Sequence, residues 1–464
     1  MSDAATLSAA DLASRYARGT LSPREVTRAC LDRIARLEPV LNAMAVVDAE
    51  GAMGAAAESE RRWWAGRPLS PLDGVPATVK DLLNLAGHPT RRGSRATDPQ
   101  PVADDSPAVV GLKAAGVVIL GKTTTTEFGW KSPGDCPLHG ITRNPWNTRL
   151  TPGGSSSGAG AAAAAGYGPL HIGTDAGGSI RIPASWCGIV GVKPSFGRVP
   201  QWPLGAFAQV AVAGPMTRTV EDAALMLAVM SRFDWRDPFC LPDPVPGWLD
   251  RWQNGVAGLQ VAVVRRLGFH PPADEGALAA VERAARALED AGAIVTEADP
   301  SLPDTRALFT AVWGQALKRL VDSFPEEKRA LLDPPLVAMA QRTEPMDAES
   351  FLAVQAAVIE TAHAMAAFHR RYDLVLCPAV PEPALPADAT LIAPEEDLWQ
   401  RWAPWTFTFN LSRQPAVAVP VGLDAAGRPR GVQVAAALYR DDLALAAARV
   451  IEQACAAPTL APLG

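Results

Sequence analysis

The sequence predicts an α/β protein, a single large mixed β-sheet sandwiched by α-helices. Three observations predict it. Short apolar runs rich in Val, Ile and Leu alternate with longer stretches of helical periodicity along most of the chain. With 464 residues, 48% of them hydrophobic, the chain can bury a large core. The positions with the most evident chemistry, 80, 155 and 179, lie far apart with no linker between them. The expectation is one domain over 1–464, with N-terminal helices over 1–66, a catalytic core over 72–235, and the rest of the sheet with pocket helices over 236–464.

The first 66 residues read as helices. Ser8-x-x-Asp11 resembles a capping box with Asp in place of Glu, and Gly19 ends that helix. Ser22-Pro23 supplies an N-cap and a first-turn proline, followed by Val26, Cys30, Ile34 and Leu37 at helical spacing. Residues 49–65 form another helix, stopped by Gly66 and Pro68. From Leu72 onward, strands are expected at 75–80, 117–120, 170–172, 190–193, 259–264, 294–296, 374–377, 416–421 and 431–437. Helices are expected at 109–115, along the alanine run after Gly158, at 219–230 after a turn at Gly214-Pro215, at 274–291 and at 441–456. The proline-rich 238–248 marks a connection, and 301–370 reads as mostly helical. No internal repeat or low-complexity tail is visible.

Charge narrows the function classes. The net charge is −6, with Lys and Arg scattered, so no nucleic-acid partner is indicated. Cys30, Cys136, Cys187, Cys240, Cys377 and Cys455 are widely spaced without a CxxC pair and read as reduced thiols. Neither an HExxH motif nor a Cys/His cluster is present, so neither a metal nor a cofactor is expected. The N-terminus lacks a basic region followed by an apolar stretch, and no uncharged apolar run reaches the length of a membrane span. The expectation is a soluble cytoplasmic protein with no membrane partner, a monomer or a homodimer.

The chemistry concentrates in 153–188, GGSSSGAGAAAAAGYGPLHIGTDAGGSIRIPASWCG. Two loops, at 153–158 and 175–181, carry serine flanked by glycine. Glycine lets the backbone approach a ligand closely, and successive free N–H groups can converge on an oxyanion. A serine after two glycines is therefore a candidate acyl-transfer nucleophile. Two other formulae also match. Residues 116–123 fit the phosphate loop GxxxxGK[ST], but the apolar middle residues form a strand and a helix precedes Gly116. Residues 154–158 fit the GxSxG elbow, which needs a strand before it; here a segment with two prolines and two asparagines precedes it. An elbow enzyme needs a later histidine, and His363 and His369 lie in a helical stretch.

Three motifs together resemble the amidase signature family, the Ser-cisSer-Lys hydrolases. They are Gly74-Val75-Pro76-Ala77-Thr78-Val79-Lys80-Asp81, the loop Gly153-Gly154-Ser155-Ser156-Ser157-Gly158, and Gly173-Thr174-Asp175-Ala176-Gly177-Gly178-Ser179-Ile180-Arg181. Order and spacing also agree, and the resemblance runs from about Leu7 to the last helix. It implies that Ser179 is the nucleophile, that Ser155, in a cis peptide, relays protons, and that Lys80 is the base. It also implies an oxyanion hole from the N–H groups of Ala176, Gly177, Gly178 and Ser179, an ion pair of Asp175 with Arg181 bracing the loop, and Ser156 extending the network. A buried lysine suits the base, because burial lowers its pKa from about 10.4. Read alone, Lys80 would pair with an acid such as Asp81. Ser157 departs from the glycine usual in the family.

Within the family, the glutamine-hydrolysing chain of the tRNA-dependent amidotransferase holds glutamine through an arginine and an aspartate. Counting back from 372–378 and 410–415 places Val358 and Ala403 at those positions. The implication is a stand-alone amidase whose pocket prefers uncharged aryl or alkyl amides, with esters and carbamates (urethanes) as further substrates. The alternative is a glutamine-hydrolysing component of an amidotransferase. Trp130, Trp202, Phe207, Trp402 and Trp405, together with Val358, are the candidate pocket walls.

Overall fold

The computed structural model describes residues 3–267, 272–389, 403 and 405–463. In chain order its strands are β1 (Met44–Val47), β2 (Pro76–Lys80), β3 (Val118–Thr123), β4 (Asp135–Cys136), β5 (Gly140–Ile141), β6 (Leu170–Asp175) and β7 (Val190–Lys193). They continue as β8 (Val212–Thr217), β9 (Gln260–Val263), β10 (Ile294–Glu297), β11 (Leu374–Pro378), β12 (Ala416–Leu423) and β13 (Pro429–Ala436). Eleven strands form one sheet in the order β1-β3-β2-β6-β8-β7-β12-β13-β11-β9-β10, and β4 pairs with β5 separately. The sheet is mixed. β2 runs parallel to β3 and β6, and β9 runs parallel to β10 and β11. The other neighbours are antiparallel.

Helices Pro23–Leu41, Ala49–Trp64, Ser157–Ala165, Val220–Met230, Glu275–Asp290 and Asp441–Cys455 pack against the sheet. Every residue of β2, β3, β7, β8 and β11 is buried. Strands covered on both faces read as continuous apolar runs, which is why β2, β3, β7 and β11 are visible in the sequence. Each such buried Val, Leu or Ile contributes about 1.5–3 kcal/mol. Ser22 caps its helix as expected: Glu25 N donates to Ser22 Oγ at 3.2 Å, and Ser22 N donates to Glu25 Oε2 at 2.7 Å.

Two expectations are corrected. The first 66 residues are not all helical, because 44–47 form edge strand β1, antiparallel to β3. Gly214-Pro215 is not a turn but lies within β8, opposite Gly173 and Ile172. A Cβ at 214 would run into the Val192 carbonyl, so glycine is required by the neighbouring strand. Helix Ala348–Phe368 is long and apolar enough to cross a membrane by length and composition. It nevertheless carries Glu349 and Glu360, and it packs Val358, Thr361 and Met365 inward. Residues 301–370 otherwise resolve into the expected helices: Thr305–Asp322, Glu326–Arg329, Pro334–Arg342 and that one.

Candidate active site

β2 and β6 are parallel neighbours, so their carboxyl ends emerge side by side. Lys80 ends β2 and is fully buried. Its Nζ donates to Ser155 Oγ at 2.7 Å, Ser156 Oγ at 2.9 Å and Thr174 Oγ1 at 2.9 Å. The pairing of Lys80 with Asp81 does not occur. Asp81 Oδ1 is 2.7 Å from Lys122 Nζ instead, because successive side chains of a strand point to opposite faces. Burial pushes the pKa of Lys80 well below its ordinary value, and the charge of Asp175 offsets this only in part.

The Gly154–Ser155 peptide is cis. Thr126 N donates to Ser155 O at 3.3 Å, and Thr174 N donates to Ser156 Oγ at 3.2 Å, which fixes the loop to both sides of its surroundings. Ser157 starts helix Ser157–Ala165, in which every residue is buried. Small side chains are needed there: a Cβ at Gly158 would stand 2.5 Å from Thr124 N, and one at Gly160 would stand 3.0 Å from Pro183 Cβ. The extra side chain of Ser157 fits because residue 134 is glycine, where an added Cβ would lie 2.9 Å from Ser157 Cβ.

Asp175 ends β6 with its side chain fully buried. Its carboxylate accepts from Gly178 N (2.8 Å), Ile180 N (3.1 Å), Arg181 Nε (3.0 Å), Arg181 Nη2 (2.9 Å) and Asn410 Nδ2 (2.9 Å). Burial alone would raise its pKa, but the Arg181 charge, with hydrogen bonds from Arg181 and Asn410, holds it well below the usual carboxylate range. One expected oxyanion donor is corrected by this arrangement. The Gly178 N–H is spent on Asp175 and is not free. Among the described residues, the N–H groups of Ala176, Gly177 and Ser179 meet no acceptor. Gly178 also has φ 128°, and a Cβ there would sit 2.8 Å from Thr406 Cβ. Ser156 N donates to Ser179 O at 3.2 Å and joins the two loops.

Ser155 and Ser179 open onto one cleft. Leu82, Leu83, Phe128, Phe207 and Leu320 supply its apolar wall, with Thr174, Gln201 and Arg92 as polar groups. Phe207, stacked on Trp313 at 3.7 Å between centroids, also borders a second groove lined by Val312, Ala316, Phe351 and Val354. Of the expected wall residues among the described residues, only Phe207 lines the cleft. Trp130, Val358 and Trp405 are buried core residues, with Trp130 Nε1 donating to Asp333 Oδ2 at 3.3 Å. Trp202 is 42% exposed, beside Trp235 and Arg236, while its neighbours Gln201 and Pro203 line the cleft. Trp402 lies outside the described residues. Ala403 packs in the same apolar cluster as Val358, and neither lines the cleft. The expectation of an uncharged lining missed Arg92. Among the described residues no histidine lines the cleft, residues 118–123 are strand, and no strand directly precedes 154–158.

Against known proteins, the family model described as Amidase matches residues 25–445. The chain belongs to the amidase signature family. It is 35% identical over 455 residues to an acylamidase of Rhodococcus erythropolis, covering 96% of this chain and 95% of the relative. It is 36% identical to the A-type component of the glutamyl-tRNA(Gln) amidotransferase of Acidothermus cellulolyticus, covering 95% and 93%. Among solved structures, a bacterial aryl acylamidase of the amidase signature family superposes with a TM-score of 0.89 at 29% identity, covering 98% and 97%. A 6-aminohexanoate cyclic dimer hydrolase does so with 0.89 at 28%, covering 99% of each chain. This amidase is thus a hydrolase of amide C–N bonds built on a mixed sheet flanked by helices.

Proposed function

We propose that the chain is a stand-alone, single-domain amidohydrolase that cleaves small amides with an aryl or alkyl group through a Ser179 acyl-enzyme. The observation that carries this reading is Lys80 Nζ, buried, in contact with no carboxylate among the described residues, and 2.7 Å from Ser155 Oγ. A lysine held neutral can accept a proton, and a serine hydroxyl needs a base before it attacks. Ser179 Oγ attacks the amide carbon, its proton passes to Ser155 Oγ, and the proton of Ser155 passes to Lys80 Nζ. The carbonyl oxygen, now negative, accepts from the N–H groups of Ala176, Gly177 and Ser179; one such donor is worth about 3–4 kcal/mol of barrier. The proton returns along the same path to the leaving amine as the C–N bond breaks. Water then repeats the sequence on the ester, with release of the carboxylic acid. Ser156 and Thr174 orient Lys80, and Asp175 with Arg181 holds the Ser179 loop. The apolar wall supports aryl or alkyl groups. Esters and carbamates fit the same route, because their leaving groups depart at least as readily.

Replacing Ser179 by Ala tests the mechanism. Turnover of an anilide falls by several powers of ten while the fold persists; a variant keeping more than about a hundredth of the rate refutes the nucleophile. The likeness to amidotransferase components supports a second reading, glutamine hydrolysis within an assembly. Glutaminase assays of the chain alone and with the other amidotransferase components and tRNA separate the two.

A further inference from the structure

Arg92 follows the Lys80 strand by a short loop, and its backbone is clamped. Its N–H donates to Asp81 O at 3.0 Å, and its carbonyl accepts from Phe128 N at 2.8 Å. It has φ 53°, a left-handed conformation that a residue with a side chain adopts rarely and only where its surroundings hold it. The neighbouring Arg91 has a structural task, donating to Thr97 Oγ1 at 3.2 Å and Ser94 O at 3.3 Å. Arg92 has none: among the described residues its side chain forms no hydrogen bond or ion pair, and it lines the cleft with Ser155 and Ser179. Among the described lining residues it is the only charged side chain, set among Leu82, Leu83 and Phe128. Burial lowers its pKa, and only the charge of Asp81 works in the other direction. A guanidinium in apolar surroundings has its donors unfilled, and a carboxylate fills them two at a time.

Resting on the amidohydrolase reading, we infer that Arg92 selects amides that carry a carboxylate besides the scissile bond. The cleft then takes an amphiphilic substrate, an apolar body against Phe128 and Phe207 and an anionic end on Arg92. The weak dielectric of the apolar wall strengthens that pair relative to water.

Two substrate pairs test it: N-phenylsuccinamic acid against N-phenylbutanamide, and 4-acetamidobenzoate against 4-methylacetanilide. The first pair puts the charge on the acyl side and the second on the amine side. In at least one pair the carboxylate-bearing member has a kcat/KM at least tenfold higher. Arg92→Met lowers that ratio at least tenfold, and Arg92→Lys retains part of it. The inference is overturned if the wild-type protein prefers the neutral member of both pairs, or if Arg92→Met leaves the ratios within threefold. Ser179→Ala is run alongside. If it keeps turnover, the mechanism and this inference fall together. If it is inactive while the Arg92→Met ratio stays put, only the inference falls.

Discussion

Asp175→Asn removes the charge that balances Arg181. Its two oxygens each face several donors: Gly178 N, Arg181 Nη2 and Asn410 Nδ2 on one, Ile180 N and Arg181 Nε on the other. Whichever way an asparagine is turned, its NH₂ group meets N–H groups, and Arg181 stays buried without its counter-charge. Breaking a buried pair from one side costs about 3–5 kcal/mol. A chain of 464 residues, at about 2.1 cal/mol/K per residue, has an unfolding entropy of about 1 kcal/mol/K. The melting temperature therefore falls by about 3–5 °C, measured by scanning calorimetry at one scan rate. The acid side adds a sign. The folded pKa of Asp175 is depressed, so its contribution is present above the unfolded carboxylate value of about 3.9 and is lost as pH falls below it. The deficit of the variant shrinks in that range. A melting point within 1 °C of wild type at neutral pH would refute the claim that this carboxylate neutralises Arg181.

The pH dependence of kcat/KM reports Lys80. The neutral amine is the active form and burial lowers its pKa, so the rate rises about tenfold per pH unit and levels off below the ordinary lysine value of about 10.4. Lys80→Ala slows anilide cleavage more than cleavage of an activated phenyl ester, whose leaving group needs no proton; a limb near pH 6.5 persisting in that variant sinks the lysine base. Among the described residues no group of three or more His, Cys, Asp or Glu could hold a metal. Activity therefore survives exhaustive EDTA treatment, and a loss that zinc restores contradicts the serine route.

The sheet was legible where buried strands open on runs of apolar residues. β7 and β11 carry only residues that a helix-free apolar run allows, and their ends match to within a residue. β1 was not legible, because its four residues become a strand only by pairing with β3, more than seventy positions away. β8 was hidden by Gly214-Pro215, two residue types that mark turns locally but here answer to the adjacent strand. The loops were readable down to the Asp175–Arg181 pair because their motif is shared with the family. The Gly178 N–H was misassigned because its use depends on where one carboxylate points. The cleft walls were mostly not readable. Leu82, Phe128 and Leu320 are drawn from three distant segments, and tryptophan size alone selected core residues. Arg92 left no periodic or motif signal beyond an arginine pair before a glycine.

Arg181 carries a consequence for synthesis. Beyond Asp175 it donates to Thr406 O at 2.9 Å, Gln433 Oε1 at 3.0 Å and Asn410 Oδ1 at 2.6 Å. On the ribosome, domains fold as their residues emerge, at about 5–20 residues per second. The serine loop is translated early, but the three groups that hold its arginine come from the last part of the chain. A nascent chain that ends before residue 406 therefore lacks all three of these partners of Arg181. The hydrogen bonds of Arg181 are therefore complete only once Gln433 has joined the sheet.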